Sequence, residues 1–138
     1  MTSASQACST IALHAWEADV IGKTANYESG WGLDNIGNWT DPKDYVEWSF
    51  RSRNAGRYKV ELTYACKDES AGSEFTISVA DSAASGKIDG TGAWNKFKSV
   101  TLGEIPVGAG PQKLIVKATT KPNEAVMNLQ RVRLLPVN

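Results

Sequence analysis

Arg57–Ala65, RYKVELTYA, decides the fold class. Tyr58, Val60, Leu62 and Tyr64 fall on one side, Lys59, Glu61 and Thr63 on the other. A period of two over that length is the pattern of a half-buried β-strand. Upstream, across the turn residues Asn54, Ala55 and Gly56, Tyr45–Phe50 repeats it, with Val46, Trp48 and Phe50 against Tyr45, Glu47 and Ser49. Downstream, beyond a turn over Lys67–Gly72, Ser73–Ala80 sets Phe75, Ile77 and Val79 against Glu74, Thr76 and Ser78. Strands parted by Gly- and Asp-containing turns predict antiparallel hairpins.

The same reading extends to both ends. Ser9–Ala18 alternates Ile11, Leu13 and Ala15 with Ala12, His14 and Trp16, which predicts a first strand. Ile21–Gly37, punctuated by glycine, predicts loop with one or two short strands, and Ser82–Ile88 a short strand entering the loop Asp89–Asn95. Phe97–Leu102, a turn over Pro106–Pro111, a strand through Leu114, Val116 and Ala118, and a last strand over Ala125–Leu135, irregular near Asn128, complete the chain. No apolar stripe has helical spacing for more than a turn or two. Eight or nine short strands without helices predict an all-β sandwich or jelly roll.

A length of 138 residues suits one domain, with 41% hydrophobic and 22% charged residues arguing against disorder. The net charge is zero and the basic residues are scattered, so neither nucleic acid nor a membrane surface is expected as a partner. No apolar run reaches the ~18 residues of a membrane span. MTSASQACST has no basic region followed by an apolar core, so it is not a signal peptide. Residues 1–8 are expected to be a disordered or artificially added N-terminus, and 9–138 one β-sandwich module cut from a longer chain. Cys8 and Cys66 are either a single bridge or two thiols.

Trp48 lies on the apolar side of a strand and is expected in the core; packing is also the expectation for Trp16. Trp31, Trp39 and Trp94 sit in loops among Gly and Asn, where an indole either caps the sandwich or meets a ligand. Asn128 either satisfies backbone groups at a bulge or hydrogen-bonds a ligand. His14 has no Ser or Cys partner motif, and Asp34, Asp41 and Asp44 are expected as turn residues. No nucleophile elbow, His pair or metal motif is present, and the glutamates fall on polar strand faces or in turns, so an enzyme is not expected.

Seven motifs occur in a telling order: EAD at Glu17–Asp19, NIG, Trp48 and its neighbours, G-x-Y-x-V-x-L from Gly56, TGAW at Thr91–Trp94, AG near Gly110, and NL-x-x-V-x-L from Asn128. In this the chain resembles the β-jelly-roll carbohydrate-binding modules of families 6 and 35, which implies a sandwich of the galactose-binding-domain-like type. It is similar above all to the module appended to bacterial α-L-fucosidases and sulfatases, through Tyr64–Cys66, Ser70–Phe75 and Ala125–Leu129. The resemblance spans residues 11 to 136. It implies a non-catalytic module, secreted or periplasmic as part of a larger protein, whose partners are a glycan and the catalytic domain of a parent enzyme. By the same resemblance Trp94 and Asn128 match the family's aromatic and amide sugar contacts, and Trp39 takes the place of the first aromatic; Trp31, as a further loop indole, is expected beside them. It also implies a structural Ca²⁺ held by Glu17 and Asp19, although Gln130 stands where a further acid is expected.

A pyranose offers a C–H face that an indole can cover, at about 25 cal/mol per Å² of apolar surface removed from water, and a hydroxyl rim that needs directional partners. An Asn amide both donates and accepts, which suits that rim. The competing expectation is an interaction domain that packs against a catalytic partner without touching sugar.

Overall fold

The computed structural model describes residues 9–30 and 33–137. The expected N-terminal extension (1–8), Trp31 and Cys8 lie outside the described residues. Eleven strands among the described residues form two sheets: β1 (Ile11–His14), β2 (Asp19–Ile21), β3 (Asn26–Gly30), β4 (Leu33–Gly37), β5 (Tyr45–Ser52), β6 (Gly56–Ala65), β7 (Glu74–Val79), β8 (Ser82–Lys87), β9 (Lys98–Val107), β10 (Gly110–Ala118) and β11 (Asn128–Pro136). One sheet runs β3-β4-β11-β6-β9, with β1 also on β11; the other runs β2-β5-β10-β7-β8. All the pairings are antiparallel. This is the expected all-β sandwich.

The predicted hairpins between β5, β6 and β7 do not form. β6 pairs with β11 and β9, while β5 and β7 lie in the other sheet on either side of β10. Each turn there carries the chain across the sandwich. Alternation tells which side of a strand is buried but not which strand lies beside it, so a crossover and a hairpin look alike in sequence. The apolar sides behave as expected: Tyr58, Val60, Leu62 and Tyr64 face Val46, Trp48, Phe75, Ile77, Leu114 and Val116 across one core. Ile21–Gly37 holds the two short strands that its reading allowed, β3 and β4, paired antiparallel with each other. The predicted turn over Pro106–Pro111 shrinks to Gly108 and Ala109 as β9 and β10 extend into it.

The first predicted strand ends early, at His14, and Ala15–Glu17 turns as a short 3-10 helix. That turn moves the chain from the edge of β11 to the second sheet. β1 and β4 then share one flank of β11 end to end, opposite Leu134–Arg131 and Leu129 respectively, while β6 occupies the other flank. The irregularity expected near Asn128 is a bulge: Leu129 faces Tyr64 and Arg131 faces Thr63, leaving Gln130 as the extra residue.

Candidate binding cleft

Asp44 fixes the loop that enters β5. Its carboxylate, 1% exposed, accepts the backbone N–H groups of Lys23, Thr24 and Ala25 at 2.9 Å each and the Thr24 hydroxyl at 3.1 Å. Burial would raise its pKa, but these donors outweigh burial and hold the carboxyl below its ordinary value. The cradle needs Gly22, at φ +148, because a Cβ there would collide with the Asp44 side chain. Thr24 Oγ1 also accepts the N–H groups of Thr40 and Asp41, both at 3.3 Å, so two loops are tied into one.

This tie settles Trp39 as an indole that caps the sandwich, against the sugar-contact place that the resemblance gives it. The ring is fully buried, its indole N–H donates to the Asp44 carbonyl at 3.2 Å, and its own carbonyl accepts from Val126 N–H at 2.9 Å. No face remains for a ligand; Trp39 is a core plug. Its neighbours turn the other way. Asn38, in the left-handed region at φ 53, and Thr40 both line an open cleft. Asparagine is among the few residues that tolerate that conformation.

The cleft, about 280 Å³, is lined by Glu28, Asn38, Thr40, Trp94, Glu124, Ala125 and Asn128. It thus brings together Trp94 and Asn128 of the predicted set. Trp94 is half-buried, packed against the core on one side. Its loop is held from below: Tyr64 Oη donates to Asp89 O at 3.0 Å, Thr91 N to Cys66 O at 2.8 Å, and Gly92 N to Asp68 Oδ1 at 3.1 Å. Asn128, 7% exposed, donates an amide hydrogen to the Trp94 carbonyl at 2.8 Å. The amide therefore fixes the loop, and by its chemistry it retains a second hydrogen and an acceptor. Beneath the loop, burial, with Asp68 nearby, pushes the Cys66 thiol up to about 11.

Glu28, Asn38 and Thr40 carry no signal in the sequence reading, and Glu124 is expected there only as a turn acid. Glu28 becomes legible once Asn26–Gly30 is recognised as a strand, because Asn26 and Glu28 then share a face. Its oxygens accept Asn35 Nδ2 at 3.1 Å and Asn38 Nδ2 at 3.4 Å, and Asn38 Nδ2 donates also to Asn26 Oδ1 at 2.7 Å. The acid is thereby aimed rather than loosely solvated.

Trp48 is core as expected, 1% exposed, with its indole N–H on the His14 carbonyl at 2.7 Å. Trp16, expected to pack, is instead 60% exposed. Burial alternates through this stretch, with Leu13 and Ala15 inward and Trp16 outward, so the expectation of packing rested on the bulk of the ring and not on its face. The residues proposed for calcium do not fit it. Glu17 Oε1 accepts the His14 N–H at 3.1 Å, Gln130 offers a neutral amide, and among the described residues no three His, Cys, Asp or Glu side chains gather as a metal site. A hard cation needs more oxygen donors than this. Among the described residues no helix is long and apolar enough to cross a membrane.

A family model described as a domain of unknown function, DUF5077, matches residues 19–135. The chain belongs to this family. No curated protein matches it. Solved structures share its fold at low identity. The native family 35 carbohydrate binding module from Clostridium thermocellum superposes with a TM-score of 0.72 at 16% identity, covering 94% of this chain and 99% of that one. The CBM35 of Abf62 from Cellvibrio japonicus gives 0.73 at 18%, covering 94% and 95%. The carbohydrate binding module CBM6cm-2 of lichenase 5A from Cellvibrio mixtus, in complex with cellotriose, gives 0.69 at 18%, covering 93% and 98%. For the DUF5077 domain these likenesses establish the jelly-roll fold.

Proposed function

We propose that the domain is a non-catalytic glycan-binding module that holds an attached carbohydrate-active enzyme, a fucosidase or sulfatase by the sequence resemblance, on its substrate outside the cytoplasm. The observation that carries this reading is the cleft in which a half-buried Trp94 meets Asn128, on a fold shared with carbohydrate-binding modules. Trp94 supplies a surface for the C–H face of a sugar. Asn128, Asn38, Thr40 and Glu28 supply donors and acceptors for its hydroxyls. At about 280 Å³ the cleft is at the small end of ligand pockets, which suits one sugar unit at a chain end or branch. Among the described residues its lining holds two carboxylates, Glu28 and Glu124, and no Lys or Arg. Lys121 is engaged by the Asn123 and Glu124 carbonyls. This charge favours neutral or amino sugars over uronates and sulfates.

One aromatic with a polar rim supports millimolar to high-micromolar affinity, about −4 to −6 kcal/mol. That suffices for an anchor, where effective concentration counts for more than single-site strength. Calorimetric titration with a panel of neutral, amino and acidic saccharides tests the reading. Trp94→Ala is expected to weaken binding at least about tenfold, or ~1.4 kcal/mol. Full retention of binding in that variant removes the cleft from consideration, and turnover of any saccharide by the purified domain removes the non-catalytic assignment.

A further inference from the structure

Trp16 lies outside the cleft, and its exposed ring is held rigidly. It stacks on the His14 imidazole, ring centroids 4.3 Å apart and planes 4° from parallel. The backbone beneath the stack is fixed by the His14 N–H to Glu17 bond, by the Trp48 indole on the His14 carbonyl, and by the burial of Ala15. Leu13 faces the core, so His14 faces outward, and antiparallel register places it opposite Arg131 of β11. Arg131 is opposite Thr63 of β6, and Thr63 opposite Ser99 of β9, with their hydroxyls 2.7 Å apart. Arg133, one row along, is closed by a two-pronged pair with Glu61 at 2.6 and 3.1 Å. Arg131 differs: its Nε is buried with no hydrogen-bond partner, the side chain as a whole is half-buried, and its charge also acts on Glu61.

We propose that the Trp16–His14 stack and Arg131 form a second saccharide-contact surface on the outer face of the six-stranded sheet. A sugar ring lies on Trp16, and an oxygen substituent of the chain, whether hydroxyl, carboxylate or sulfate, meets the Arg131 guanidinium. The inference rests on the reading that the domain binds glycans. A saccharide fits better than a protein partner because Trp16 and Tyr27 are the only large exposed hydrophobic side chains among the described residues. The neighbours of the Trp16 stack, His14, Glu17 and, across the strand from His14, Arg131, are polar or charged, whereas the centre of a protein interface is apolar and depleted of charge. Asn128 and Arg131 also lie on one strand, three residues or roughly 10 Å apart. A single glycan chain can therefore engage cleft and platform together, and the two contacts reinforce each other.

The test uses the full chain and its Trp16→Ala, Trp16→Phe, Arg131→Gln and Trp94→Ala variants. They are titrated with xylan, laminarin, galactan, polygalacturonate and a sulfated galactan, and with the di- and monosaccharides of each. Trp16→Ala is expected to weaken polysaccharide binding about five- to twentyfold while changing mono- and disaccharide binding less than twofold. Arg131→Gln is expected to weaken it in part, most for whichever of the neutral, carboxylate or sulfate polymers supplies the oxygen. Trp16→Phe, which keeps a flat ring, should hold within about threefold and carries the test if the alanine variant fails to fold. Unchanged polysaccharide binding in Trp16→Ala and Arg131→Gln overturns the proposal and leaves the cleft standing. The same holds if Trp16→Ala loses only association with a neighbouring catalytic domain. Loss in Trp16→Ala beside unchanged binding in Trp94→Ala supports the platform and sinks the cleft. If wild type binds none of the panel, both fall.

Discussion

Trp39 and Trp94 occupy loops that are alike in composition, one between Asn38 and Thr40 and the other between Ala93 and Asn95, yet one ring is fully buried and the other half-open. The difference comes from residues far along the chain. Trp39 is drawn in because Asp44, clamped by the 22–25 loop, offers a carbonyl to the indole N–H, and because Val126 pins the Trp39 backbone. The Trp94 loop is also pinned, but not through the indole: Thr91 is tied to Cys66 by backbone and hydroxyl, Gly92 to Asp68, and the Trp94 carbonyl to Asn128. Whether a loop aromatic becomes core or platform depends on where its polar edge finds a partner, which composition does not specify.

Alanine substitutions should pull this pair apart most clearly. Trp39→Ala is expected to lose about 3–5 kcal/mol of folding stability, as buried aromatic truncations do, whereas Trp94→Ala loses less than about 1.5 kcal/mol and chiefly affects binding. Urea denaturation of both variants checks this; equal losses would mean that the two rings are not differently placed.

Asp44 sharpens the contrast. Asp44→Asn should destabilise by about 2–3 kcal/mol, because an amide NH₂ would confront N–H donors. The Asp44 pKa is lowered on folding, so its contribution is present above the ordinary carboxylate value and is lost as pH falls through the folded value. The wild-type advantage over Asp44→Asn should therefore shrink below about pH 4, in denaturation midpoints taken across pH.

Asn128→Ala is expected to cost about 1 kcal/mol of stability and to loosen the Trp94 loop, seen as red-shifted Trp fluorescence and severalfold weaker sugar binding. Smallest of all, adding Ca²⁺ or a chelator should move the thermal midpoint by less than about 1 °C. A larger stabilisation by calcium would show that Glu17 and Asp19 gather a cation after all.

The strands of the core were legible because Tyr58–Tyr64, Val46–Phe50 and Phe75–Val79 keep an alternation that burial follows at all but Thr63, which is buried on the polar side, and Phe50, which is half-buried. Their pairing was not, since β5, β6 and β7 show the same pattern whether they form hairpins or cross between sheets. Half of the cleft was legible, through the TGAW and NL motifs. The other half came from Asn38 and Thr40, flanking the indole that the motif reasoning selected, and from Glu28 on a strand hidden by glycine spacing. Trp16 stands outward because it lies opposite Leu13 and Ala15 in the alternation, a placement that the bulk of its ring does not override.

β11 is bonded along both flanks, to β6 on one side and to β1 and β4 in succession on the other. A pull applied at Asn128 or Arg131 enters the sheet through its middle and must shear several ladders at once, instead of peeling an outer strand bond by bond. The domain should accordingly yield late under traction directed along that strand, and early when drawn from β3 or β8 at the margins.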